Sequence, residues 1–105
     1  MKSAVVYVKG EEAGLLTKFR SGEYEFRYTR RYRESGRPSV AFSLSKHQPV
    51  HRSAVLFPFF YGLLSEGAQK RTQCRLLHID ENDHFTRLVE TCREGVIGAV
   101  YVRPR

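Results

Sequence analysis

Two residue pairs at helical spacing are the first candidates for chemistry in this sequence. Cys74 and His78 stand at i, i+4, as do His47 and His51, a spacing that can set two metal ligands on one helical face. A zinc site would require the fold to bring both pairs together, and His47 and His51 flank Pro49 in a stretch that reads as loop. A small buried thiol and imidazoles with solvated tips account for all four residues, so no metal is assigned. His78-Ile79-Asp80 echoes the His-Arg-Asp of kinase catalytic loops, but the metal-binding Asn expected five residues after the Asp is Phe85. Cys92 falls on an apolar helical stripe, where desolvation disfavours the thiolate that a nucleophile needs. Neither G-x-G-x-x-G nor a phosphate-binding G-x-x-x-x-G-K-S/T occurs. The residues therefore assign no catalytic group, no cofactor and no enzyme activity.

Two segments point instead to binding. Arg30-Arg31-Tyr32-Arg33, with Arg27, Tyr28 and Arg37 nearby, could contact phosphates and stack bases. It could equally dock an acidic protein surface, since the guanidinium fork pairs bidentately with carboxylates. Or the tyrosines cap the domain while the arginines are solvated or pair with Glu25 and Glu34. The second segment runs from Phe57 to Gly67 and opens with four aromatics in five residues. A helix of about two turns there directs Phe59, Leu63 and Phe60 inward and leaves Tyr61, Ser65 and Glu66 at the surface. Gly62 would allow another backbone to approach. Core packing explains most of this composition, and a protein-docking edge explains the rest.

The elements that must position these groups follow from hydrophobic period and punctuation. Ala4–Val8 is a continuous apolar run, which predicts a strand covered on both faces. Gly10-Glu11-Glu12 turns it into a hairpin with Ala13–Thr17. After Ser21-Gly22, residues 23–28 alternate, placing Tyr24, Phe26 and Tyr28 inward and Glu23, Glu25 and Arg27 in water. Thr29–Gly36 reads as polar loop with one helical turn, Ser39–Ser45 as a strand with Val40, Phe42 and Leu44 inward, and Lys46–Ser53 as loop. Pro58 suits the first position of a short helix to about Leu64, and a second helix spans Ala68–Leu77. A third follows Asp80, Glu81 and Asp83, whose charges favour a helix N-terminus, with Phe85, Leu88, Val89 and Cys92 as its stripe. Gly95 ends it, and Gly98–Arg103 forms a closing strand. Strands, then helices, then one strand describe an α+β domain: a small, partly closed, barrel-like mixed or antiparallel β-sheet with about three short helices inserted before the last strand.

Composition bounds the partners. The 105 residues fit one domain, 1–105, and such a length folds without a metal or disulfide staple. The net charge is +7, and the first 52 residues hold eleven of the eighteen Lys/Arg against five of the eleven Asp/Glu. That half is the one suited to an acidic partner. The longest apolar run, Ala54–Leu64, is broken by Pro58 and Gly62 and is too short to span a membrane. The N-terminus lacks the apolar core of an export signal, which predicts a cytoplasmic protein with Cys74 and Cys92 reduced.

The run from Phe26 to Gly67 resembles the N-terminal subdomain of HipA-type serine/threonine kinases, the toxins of bacterial persistence modules. The family pattern is F-x-Y, a tyrosine a few residues on, a Ser/Leu-rich strand, then F-F-x-G/N-L-L-P-E-G. Here these read Phe26-Arg27-Tyr28, Tyr32, Ser43-Leu44-Ser45 and Phe59-Phe60-Tyr61-Gly62-Leu63-Leu64-Ser65-Glu66-Gly67. Val6-Tyr7-Val8, Gly10, Gly14-Leu15-Leu16 and Gly98-Ala99-Val100 also match, so the likeness covers nearly the whole chain. Ser65 replaces the usual proline, and Ser45-Lys46 replaces a frequent Leu-Pro.

The chain ends at Arg105 without a kinase body, and in this it is similar to the HipS-type antitoxins of tripartite HipB-HipS-HipT modules. That resemblance implies a non-catalytic antitoxin that binds a HipT-type kinase directly and neutralises it. A HipB-type DNA-binding protein would complete the complex, with no membrane and no direct nucleic-acid contact. Tyr61, Leu63, Leu64, Ser65 and Glu66 are then expected to reach the kinase, with Arg30, Arg31 and Arg33 as a polar rim or steering charge. A nucleic-acid-binding small barrel and a structural subunit that stabilises its kinase without inhibiting it are the alternatives.

Overall fold

Alternation and turn chemistry produce the sheet. The computed structural model describes residues 1–92 and 100–105. Strands β1 (Lys2–Val8) and β2 (Glu11–Lys18) form a hairpin across Lys9-Gly10, both with positive φ, 49° and 84°. That backbone matches the twist of the strands it joins, and glycine adopts it without strain. A second turn, closed by Gly22 N–H donating to Phe19 O at 2.9 Å, leads into β3 (Tyr24–Tyr28). Strand β4 (Val50–Ser53) adds to β3 and β5 (Val100–Pro104) to β1. The order is β4-β3-β2-β1-β5, antiparallel throughout. The sheet is open rather than barrel-like, because among the described residues β4 and β5 remain its two edges.

Helices complete the α+β domain expected from element order. Helix α1 (Arg30–Glu34) separates β3 from β4, while α2 (Pro58–Tyr61), α3 (Gly67–Leu77) and α4 (His84–Thr91) precede β5. One face of the sheet is core: Ala4, Val6, Leu16, Phe26 and Val102 are fully buried, as are Phe60 of α2 and Leu88 of α4. Phe26 packs edge-on to Tyr28 (centroids 4.8 Å apart) and against Phe60 (5.7 Å). Apolar burial at this density is the main stabilising contribution, at about 25 cal/mol per Å² removed from water.

A β-bulge shifts the β1–β2 register between Val6 and Tyr7 and brings Gly14 opposite Val6 and Tyr28. A Cβ on Gly14 would lie 2.5 Å from Arg27 O and 2.8 Å from the Phe26 ring. Glycine is required there by clearance.

Several expectations are corrected. Ser39–Ser45 is not a strand, because the buried Tyr28 hydroxyl takes over its backbone. Val40 N–H donates to Tyr28 Oη at 2.9 Å, Tyr28 Oη donates to Leu44 O, and Leu44 N–H donates to Ala41 O at 3.0 Å. Val40 and Leu44 therefore point inward as expected, but Phe42 is fully exposed at the tip of the turn. Within the expected loop Lys46–Ser53, residues Val50–Ser53 form β4, because the open edge of β3 pairs their backbone groups; Pro49 precedes that strand and accepts Tyr28 N–H at 3.0 Å. The second face of β1 is only partly covered, with Val5 and Tyr7 half-buried. Tyr7 stacks on Tyr101 at 5.0 Å. Glu25, expected in water, is 8% exposed: Arg52 at 3.0 Å and Arg27 at 3.5 Å fold over its carboxylate. Helix α2 stops at Tyr61 rather than Leu64. The expectations at Gly95 and at Gly98-Ala99 lie outside the described residues.

Candidate protein-docking site

Helix α2 is set by Pro58 in its first turn and by a burial pattern that admits only Phe60 fully. Phe59 and Leu63, expected inward, are half-buried against the core, while Phe57 is buried. Beyond Tyr61 the chain tightens: Leu63 N–H donates to Phe60 O and Leu64 N–H to Tyr61 O, both at 3.1 Å. These i→i+3 bonds satisfy carbonyls that a helix end leaves open. Gly62 has a helical φ of −65°, so backbone geometry does not require glycine there.

The segment Tyr61–Glu66 is mixed in what it offers. Tyr61 is 42% exposed and rests edge-on against His84, centroids 5.2 Å apart. Glu66 is exposed and opens α3 without a side-chain cap. Ser65 is half-buried and donates from Oγ to Gln73 Oε1. Leu64, expected to reach the kinase, is only 7% exposed and belongs to the core; the tightened turn rotates it inward. It supports the loop and is not presented by it.

Arg87 is the residue that sequence reasoning missed. It is 3% exposed, on the helix that carries the apolar stripe. Its Nη2 donates to Ser65 O at 2.8 Å, and its Nη1 donates to Glu81 O at 3.4 Å and approaches His84 Nδ1 at 3.5 Å. A buried guanidinium needs such acceptors, and here it ties the Tyr61–Glu66 loop to α4. Only its place between Phe85 and Leu88 could have signalled burial, and that place does not name the acceptors.

Electrostatics at the base of the loop follow from this packing. Burial, reinforced by Arg87 and Lys70 and opposed by Asp83, holds the His84 imidazole against which Tyr61 packs below the usual histidine range. Asp83 caps α4, accepting Thr86 N–H at 3.1 Å and Thr86 Oγ1 at 2.7 Å. Burial raises its carboxyl, but the two Thr86 bonds together with Lys2 and Lys18 outweigh it and leave the group below the usual range. Burial pushes the Cys92 thiol up, in keeping with a packed rather than nucleophilic thiol.

The basic cluster divides by role. Thr29 caps α1 through Tyr32 N–H at 3.1 Å. Tyr32 is buried, stacks on Tyr28 at 5.9 Å and donates to Pro38 O at 2.7 Å, so both tyrosines are core pillars unavailable to bases. Arg30 pairs with Glu34 at 3.1 Å and Arg37 with Glu11 at 3.7 Å; Arg31 and Arg33 are exposed. Among the described residues no hydrogen bond or ion pair links Arg30, Arg31 or Arg33 to the Tyr61–Glu66 loop.

The metal candidates are not assembled. Cys74 is buried on α3, His78 is its exposed left-handed C-cap with φ of 55°, and His51 Nε2 lies 2.8 Å from Ser45 O. Among the described residues no group of three His, Cys, Asp or Glu could hold a metal ion, and no helix is long and apolar enough to cross a membrane.

This architecture matches known proteins along its length. The family described as HipA N-terminal domain matches residues 4–103. The solved N-terminal domain of HipA toxin has a TM-score of 0.76 and 27% identity, covering 100% of this chain and 93% of its own. The chain belongs to the HipA N-terminal domain family. An uncharacterised protein of Haemophilus influenzae is 35% identical over 104 residues, which make up 98% of this chain and 92% of that protein.

Proposed function

We propose that this chain is a HipS-like antitoxin that binds a HipT-type kinase and holds it inactive without catalysis of its own, with a HipB-type DNA-binding protein completing the assembly. The observation that carries this reading is the extent of the likeness. The HipA N-terminal domain family accounts for nearly the whole chain, and the Haemophilus influenzae relative is itself scarcely longer than the matched region. A domain that accompanies a kinase can keep its complementary face when encoded apart. Inhibition then needs only preferential binding to a kinase conformation that does not close on its substrates.

Tyr61, Leu63, Ser65 and Glu66 form the proposed contact, Leu64 supports it from within, and Arg31 and Arg33 supply steering charge, with Arg30 partly engaged by Glu34. Tyr61 is the anchor: a half-exposed aromatic on a surface preformed by Arg87 and His84. The test is phosphorylation by a co-purified small kinase, titrated with this protein. The activity should fall toward zero at saturation, and Tyr61→Ala should weaken inhibition by roughly 30-fold, the size of one hot-spot residue. Undiminished activity at saturation rejects inhibition and leaves the structural-subunit alternative. Titration with random-sequence DNA at about 100 mM salt tests the nucleic-acid alternative, which requires measurable, steeply salt-dependent binding.

A further inference from the structure

Helix α3 is held to the domain by little of its own surface. Of its eleven residues only Cys74 is buried, and Lys70 and Gln73 are half-buried. No side chain caps its N-terminus. Isolated helices of this length are marginal in water, and most helical stability in proteins comes from packing of an apolar face. Here the larger apolar side chains face away from the domain: Leu76 is 73% exposed and Leu77 46%.

The charge on α3 has one sign. Lys70, Arg71 and Arg75 are its charged residues, and the helix contains no carboxylate. Arg71 and Arg75 stand at i, i+4, where like charges destabilise a helix. Neither forms an ion pair among the described residues. Asp80 and Glu81 follow in the next turn, across a groove of about 430 Å³ lined also by Arg71, Arg75 and Ile79; Asp80 instead accepts Asn82 N–H at 2.8 Å. An outside carboxylate surface would relieve the repulsion between the two arginines and give them bidentate partners. A second copy of this chain, also +7, would not. Nucleic acid would neutralise the arginines but gives Leu76 and Leu77 no apolar cover.

We infer that α3 is a second docking element, whose Arg71, Arg75, Leu76 and Leu77 seat on a carboxylate-bearing, partly apolar surface of the partner kinase, next to the site of the Tyr61–Glu66 loop. The inference rests on the kinase reading above, and Glu66, which belongs to that loop, is also the N-cap of α3.

The test measures affinity of the full chain for the co-purified kinase by calorimetry at about 50 and 300 mM salt. Arg71→Ala/Arg75→Ala removes the charges while favouring the helix, so a loss of affinity is not a loss of fold. It should weaken binding by roughly tenfold at low salt and by less at high salt. Leu76→Ser should weaken binding at both. A double variant that binds the kinase as tightly as the wild type overturns this inference alone. A wild-type chain that does not bind the kinase overturns it together with the kinase reading. Loss confined to binding of random-sequence duplex DNA overturns it in favour of a nucleic-acid contact.

Discussion

Replacing Arg87 by methionine should both destabilise the domain and loosen the Tyr61–Glu66 loop. Arg87 is 3% exposed, and its guanidinium donates to Ser65 O at 2.8 Å. A hydrogen bond to a charged group contributes about 1.5–3 kcal/mol, and its loss strips a half-buried carbonyl of this donor. Part of that is offset, because methionine fills the stem's volume and ends the desolvation of a buried charge. The expected net loss is about 1–2 kcal/mol, read as a shift in the urea midpoint at unchanged slope. In a domain of this size each kcal/mol corresponds to about 4–8 °C in Tm. Affinity for the proposed kinase partner should fall as well, because the loop loses its tie to α4. A Val6→Ala variant, which opens the core in β1, serves as control: it should lose comparable stability and keep its affinity at temperatures where it is folded. Arg87→Met unfolding within about 0.5 kcal/mol of wild type would refute the reasoning, since surface-like residues behave that way.

Gly14→Ala should destabilise by about 1–3 kcal/mol or more in urea unfolding, because the new methyl meets the Arg27 carbonyl at 2.5 Å and backbone cannot swing aside as a side chain can. Acid should weaken the fold in two windows. His84 is held below its ordinary value, so the unfolded chain takes up its proton first, and stability is lost as pH falls from about 6.5, the unperturbed histidine value. Asp83, also held low, contributes stability present above about 3.9 and lost as pH falls further, toward its folded value. Unfolding free energies across this range should show both limbs, and His84→Asn should remove the upper one.

Much of the fold was legible in the chain. Period two in residues 23–28 placed Tyr24, Phe26 and Tyr28 in the core, and the 3.6-residue stripe of Phe85, Leu88, Val89 and Cys92 located α4, because both patterns reflect burial against a neighbour that the sequence need not name. Glycine and proline marked turns and the start of α2 for the same local reason. The F-F-x-G-L-L-x-E-G run likewise pointed to the family.

The remainder depended on groups distant in sequence. Whether 39–45 became a strand was decided by the hydroxyl of Tyr28, sixteen residues before the Leu44 carbonyl it binds. Glu25 left the solvent because Arg52 arrives on the neighbouring strand. Leu64 turned inward and Ser65 was fastened by Arg87 from 22 positions away. Hydrophobic period is a property of consecutive residues, so sequence alone determined the strongly periodic elements, residues 23–28 and α4, and the faces they bury. Pairing of polar groups depends on where separate elements meet, so tertiary structure alone decided which side chains hold the Tyr61–Glu66 loop and which it presents.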